Sequence, residues 1–204
     1  MSTNRTIIAP ATVPGRGGVS IIRMSGELSK SIAEGMCGEL AEAWHFKRCS
    51  IKSRNGSKID DGMVVFFKSP NSYTGDDVVE FHCHGNPTIV NLVLEEAVNR
   101  GAVVAEPGEF TKTAFLNEKI DLVQAESVAD LINAQSEMAV VAANSSLSGQ
   151  FSEQINRLLD GIVKARVVVE ASIDFPEDEI DSSILESIKE ELQGFLAETN
   201  ELLS

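Results

Sequence analysis

An α+β fold, in which a mixed sheet domain is followed by an all-α segment, is what the 204-residue chain predicts, and three observations carry that reading. Through residue 118, short runs rich in Val, Ile and Phe alternate with Gly- and Pro-bearing turns, and helical stretches fall between them without strict strand–helix–strand order. From Ser136 onward no proline occurs until Pro176, and apolar residues recur at steps of three and four. The charge divides at the same place. Residues 1–118 hold 12 Lys+Arg against 14 Asp+Glu, whereas 119–204 hold 5 against 17, so most of the net −14 sits in the second part. Two units with different tasks, 1–118 and 119–204, are expected.

Taken in order, Thr6–Ala9 and Val19–Met24 read as strands flanking the turn Pro14-Gly15-Arg16-Gly17-Gly18. Glu27–Met36 reads as a helix, then Phe46–Lys52 and Gly62–Lys68 as strands joined through an Asn55-Gly56 turn. Val78–His84 is a further strand, Pro87–Arg100 a helix stopped by Gly101, and Ala102–Ala105 a last strand. Asp121 with Gln124 three residues later forms a capping box that opens a helix through Ala134. Leu147, Phe151, Ile155, Leu158, Ile162, Ala165 and Val169 form one stripe of a single long helix, which Gly149 and Gly161 weaken without breaking. Asp174–Asp181 interrupts it, and a final helix from Ser182 carries Ile188, Leu192, Phe195, Thr199 and Leu202 on one face. Its stripe is still running at Ser204, without a Gly cap or a basic last turn, which predicts a truncated protein.

Composition excludes several classes. Hydrophobic content of 43% with 24% charged residues is globular rather than disordered. No apolar run approaches the ~18–20 residues a membrane span needs, and Pro10 and Pro14 break the N-terminal apolar stretch, so it is no secretory signal. Three cysteines, Cys37, Cys49 and Cys83, without a CxxC spacing fit a reducing cytoplasm rather than a disulfide scaffold. The acidity argues against unaided nucleic-acid binding, which draws on basic side chains.

The motifs narrow the chemistry. The Gly-rich 14–18 segment runs into strand-like Val19-Ser20-Ile21-Ile22-Arg23, not into a helix, and no GxxxxGK[ST] occurs, so it reads as a turn rather than a phosphate loop. In Val78–His84, alternation places Val79, Phe81 and Cys83 on an apolar face and Glu80, His82 and His84 on the other. Glu80 then lines a pocket, or joins both histidines in a metal half-site that lacks an obvious third or fourth ligand. Arg23, inside an apolar run, is an anion clamp or a snorkelling strand-end residue. The five carboxylates within 174–181 read as a solvated corner and helix start, or as a dock for a basic partner; a calcium-loop spacing is absent.

Four separated stretches, ATVPGRGGVSIIRMSG (11–26), SPNSYTGDDVVEFHCHGNPTIV (69–90), PGEFTKTAFLNEKIDLVQAESVADLINAQSE (107–137) and VVVEASIDFPEDEID (167–181), together resemble the N-terminal part of the bacterial tRNA-modification GTPase family MnmE (TrmE). The resemblance implies a folate-binding and dimerisation α/β domain over 1–118, of the tetrahydrofolate-binding aminomethyltransferase type. It implies that 119–204 is the first half of a helical domain, ending before an inserted Ras-like GTPase domain. By the same resemblance, the full-length protein acts with the FAD protein MnmG on tRNA. It adds an aminomethyl or carboxymethylaminomethyl group at C5 of the wobble uridine, with GTP, Mg2+ and K+ used only by the full-length form. A 5-formyl- or methylene-tetrahydrofolate supplies the one-carbon unit, and the family's folate-contacting Arg, Glu and Lys match Arg23, Glu80 and Lys119. No catalytic residue and no metal ligand are expected within these residues. A homodimer through the N-terminal domain, a cytoplasmic location and no membrane contact complete the expectations. The alternative is a dimerisation scaffold that positions a GTPase without folate chemistry.

Overall fold

A computed structural model describes residues 5–174 and 182–202. The chain divides into two compact units, Met1–Ala125 and Glu126–Ser204. In the first, β1 (Ile7–Pro10), β2 (Gly17–Ser25), α1 (Ser29–Cys37), β3 (Lys47–Lys52), β4 (Lys58–Phe67), β5 (Val78–Gly85), α2 (Pro87–Asn99), β6 (Val103–Val104) and α3 (Glu109–Leu116) follow one another. The six strands form one sheet in the order β3-β4-β5-β2-β1-β6. Its pairs are antiparallel except β1 with β6, so the mixed α+β character expected from the sequence is what the chain adopts.

Period-two alternation sorts the sheet into two faces. Ile22 and Met24 of β2, Val79 and Phe81 of β5, and Val64 and Phe66 of β4 face a core closed by Ile32 and Met36 of α1 and by Val93 and Ala97 of α2. Phe81, Ile22, Met24 and Val79 are fully buried, each contributing about 1.5–3 kcal/mol from the area removed from water. Cys83 lies on this face as expected. Burial pushes its thiol up to about 11, so it behaves as a core side chain.

Local rules explain most boundaries. Asn86 caps α2 by accepting from the Thr88 amide, and Pro87 sits at the first helical position, where a missing N–H costs nothing. β4 begins at Lys58, four residues earlier than its sequence suggests, because the ladder to β3 reaches Lys52 opposite Lys58. α3 is absent from the sequence reading: its eight residues carry too little periodicity, and Pro107-Gly108 reads as a turn rather than as the entry it forms.

α4 (Leu122–Asn133) starts in the first unit and runs into the second. Its capping box is reciprocal, the Asp121 amide donating to Gln124 Oε1 at 2.9 Å and the Gln124 amide to Asp121 Oδ1 at 2.8 Å. The single long helix expected next is instead two, α5 (Glu137–Leu147) and α6 (Gln150–Asp174), followed by α7 (Ser182–Leu202). Gly149 sits at φ 83°, the left-handed conformation in which helices commonly end, so the stripe continues across a break. Leu158 and Ala165 of α6 are buried, and Gly161 lets Phe195 of α7 approach so closely that an added Cβ would lie 2.1 Å from its ring. Phe151, Ile155, Ile162 and Val169 of the same stripe remain exposed. Of the acidic interruption, residues 175–181 lie outside the described residues.

Candidate functional site

The face of the sheet opposite the core carries charge. Arg23 in β2 and Glu80 in β5 are direct cross-strand partners, and their side chains are half-buried to buried, 28% and 14% exposed. Arg23 Nε and Nη2 both donate to Glu80 Oε1, each at 2.8 Å. Arg23 is therefore neither at a strand end nor a free clamp; its fork is engaged by the neighbouring carboxylate. Two rings wall the guanidinium, with Tyr73 centred 5.1 Å and Phe110 of α3 5.9 Å from Arg23 Cζ, within the range of cation–π attraction. Tyr73 is anchored by a 2.9 Å hydrogen bond between its hydroxyl and Thr111 Oγ1, which ties the two walls to each other.

Tyr73 sits in the 68–77 loop, where side chains replace the missing ladder bonds. Ser25 Oγ and Thr74 Oγ1 share a buried 2.6 Å hydrogen bond. Ser69 Oγ donates to the Gly75 carbonyl, and the Ser69 amide to Asp77 Oδ1. From the other side, Asn117 Nδ2 donates to the Thr74 carbonyl at 2.8 Å and to Asp76 Oδ1 at 3.2 Å. Burial raises the Asp76 carboxyl above its ordinary value, and the Asn117 bond opposes this. Lys119, in the segment between α3 and the next helix, packs on this loop: its Nζ donates to the Pro70 carbonyl at 3.0 Å, and its stem lies against Gly75. Of the three residues predicted from the sequence, Arg23 and Glu80 are thus joined directly, while Lys119 is held by the loop that carries Tyr73.

The two histidines part company. His82 Nε2 lies 3.5 Å from Glu80 Oε2, and its ring meets Phe46 edge-on with centroids 5.0 Å apart. His84 turns to Asp60: its Nδ1 is 2.8 Å from Asp60 Oδ1, and its backbone N–H donates to Oδ2 at 2.8 Å. Burial pushes the Asp60 carboxyl up, but the His84 backbone and ring bonds and the Asp61 amide outweigh it, so it titrates below the ordinary range. The Glu80–His82–His84 half-site is consequently not assembled. Among the described residues, no group of three or more His, Cys, Asp or Glu side chains is placed to hold a metal ion.

The arrangement suits a flat heterocycle with N–H donors. Glu80 Oε2 receives no bond from Arg23, and a carboxylate oxygen can accept from an amino-pyrimidinone edge beside aromatic walls. Glu80 and Arg23 were readable from the sequence; Tyr73, Phe110, Phe46 and Asn117 were not. Tyr73 is the chain's single tyrosine and stands in a Ser-Pro-Asn-Ser-Tyr-Thr-Gly turn, the one local signal that marked it.

The fold defines a two-module α+β protein, a sheet domain with a charged face opposite its core followed by a helical module. Residues 6–119 match the family described as GTP-binding protein TrmE N-terminus, and residues 122–204 match the MnmE helical domain. The chain belongs to the TrmE/MnmE family. It is 46% identical over 204 residues to the tRNA modification GTPase MnmE of Nitrosomonas eutropha, covering 100% of this chain and 45% of that protein. It is 49% identical over 204 residues to the protein of that name from Francisella tularensis subsp. novicida, covering 98% of this chain and 45% of the relative. The corresponding Coxiella burnetii protein is 46% identical over 197 residues, covering 97% and 43%. The chain spans less than half the length of these relatives. No described helix is long and apolar enough to cross a membrane.

Proposed function

We propose that these residues are the N-terminal portion of a cytoplasmic tRNA-modification GTPase and that the sheet domain binds its tetrahydrofolate one-carbon donor. In this reading residues 1–118 are the folate-binding and dimerisation domain, and 119–204 the first half of a helical domain that continues after a GTPase domain. The observation that carries it is the Arg23–Glu80 pair set between Tyr73 and Phe110. Glu80 accepts the N–H groups of the pterin's amino-pyrimidinone edge, with Arg23 fixing the carboxylate from the opposite oxygen. Lys119, held against the loop that carries Tyr73, supplies a cation for the anionic glutamate tail of 5-formyl- or methylene-tetrahydrofolate. When bound, the folate supplies the one-carbon unit; the chain's own residues bind and orient it.

In the full-length protein, GTP with Mg2+ and K+ drives conformational change, and MnmG and tRNA are partners in modifying the wobble uridine at C5. Dimerisation is favoured by the exposed apolar side chains of the 11–19 segment, where Val13 is 89% and Val19 61% exposed. Calorimetry with 5-formyltetrahydrofolate on the full-length protein tests the folate reading. Binding is expected, and Glu80→Ala is expected to weaken it by at least tenfold, since a charge-assisted hydrogen bond is worth about 1.5–3 kcal/mol. Absent binding, or unchanged affinity in Glu80→Ala, rejects the site.

A further inference from the structure

His82 is the polar group beside this pair that the folate reading leaves without a task. Its Nε2 is buried and has no hydrogen-bond partner among the described residues, at 3.5 Å from Glu80 Oε2, beyond normal N–H···O contact. Glu80 Oε1 takes both Arg23 bonds, so Oε2 is the oxygen that His82 faces. A bare ring nitrogen there would set its lone pair against the carboxylate; the favourable tautomer carries the proton on Nε2 and aims an N–H at Oε2.

The backbone that carries the ring is held, and the ring is bounded on one side. Phe46 abuts it, and Gly62, whose added Cβ would lie 2.3 Å from the His82 carbonyl oxygen, brings β4 tightly against the His82 backbone. Glu80 Oε2 carries no Arg23 bond, so a turn of the carboxylate closes the gap.

We propose that His82 is a positioning residue for the pteridine class of ligand, acting through Glu80. When the N–H and amino groups of a 2-amino-4-oxopteridine dock on Glu80, the carboxylate turns and Oε2 closes on His82 Nε2–H. The carboxylate is then held at both ends, Oε1 by Arg23 and Oε2 by His82, in the plane that meets two ligand donors at once. His82 thereby sets the preference for a ligand bearing the 2-amino group. The inference rests on the folate reading above.

The test is calorimetry on the full-length protein with 5-formyltetrahydrofolate and with its 2-desamino analogue, comparing wild type, His82→Phe and His82→Gln. Phe keeps a ring against Phe46 but has no donor; Gln keeps a donor. His82→Phe is expected to bind the folate about tenfold more weakly, the effect of one hydrogen bond to a charged acceptor, and to lose most of the preference over the desamino analogue. His82→Gln is expected to restore both. Wild-type affinity in His82→Phe, or a Gln variant as weak as Phe, overturns the role of His82 while Glu80→Ala still reports on the folate site. Absence of binding by the wild type overturns the folate reading and this inference with it.

Discussion

At the scale of single residues, polar groups on the sheet are settled by pairing rather than by exposure. Asp60 is buried and titrates below the ordinary carboxylate range because His84 and the Asp61 amide donate to it. A depressed native pKa contributes stability that is fully present above the unfolded value and lost as pH falls through the native one, so the window lies below about pH 4. Asp60→Asn is expected to lower stability at pH 7 by about 1–2 kcal/mol, the worth of its charge-assisted bonds, and to flatten the acid limb of the pH profile. Urea unfolding from pH 7 to pH 2 measures both. An acid limb identical in the variant removes Asp60 as its source. His84 shows why residue type alone misleads: two histidines on one strand face suggest shared ligation, yet one neighbour, Asp60, claims its ring.

At the scale of elements, structure is legible in the sequence where the signal is local. The Asp121/Gln124 capping box and the Asn86-Pro87 entry of α2 are both formed as the motifs require. It is hidden where a backbone conformation or a tertiary contact decides. A stripe of period 3.6 is blind to a left-handed residue, so Gly149 split one expected helix into α5 and α6. β4 is lengthened by its ladder with β3, a pairing that no property of residues 58–61 announces. The site divides in the same manner. Arg23, Glu80 and Lys119 stand in recognisable stretches, whereas Phe110 reaches Arg23 only through the placement of α3, an element the pattern did not reveal.

Gly161 gives a test at this level. In an open helix, Gly→Ala gains about 1 kcal/mol of propensity. At Gly161 the new Cβ meets Phe195, so Gly161→Ala is expected to show no such gain in thermal unfolding, and Gly161→Ala with Phe195→Leu to recover it. Full stabilisation by the single substitution rejects close α6–α7 contact at that point.

At the scale of the whole molecule, the two units differ in how completely each buries its apolar residues. The first encloses a core contributed by five strands of the sheet and two helices, all between Ile8 and Ala102. The fragment Met1–Ala125 is accordingly expected to unfold cooperatively by itself, with coincident circular dichroism and fluorescence transitions from its single Trp44. Non-coincident transitions contradict an independent core. The second unit leaves Ile155, Ile162, Val163, Val167 and Ile173 exposed, a surface of the kind that partners or further chain cover. With 5 basic against 17 acidic residues in 119–204, the 204-residue chain is expected not to retain tRNA at physiological salt. Fluorescence anisotropy with labelled tRNA measures this, and a dissociation constant below a micromolar refutes it.

Arg23 and Glu80 are 57 positions apart, yet they face each other across adjacent strands. Their meeting is therefore a non-local event whose entropic cost of loop closure precedes any gain from the ion pair. During synthesis, β1, β2 and α1 are made before β5, and Arg23 lacks its carboxylate for that interval. If the proposed folate site is correct, ligand competence is expected only once β2 has zippered to β5, so the gain of folate binding would serve as a clock for the closing of this sheet in the nascent chain.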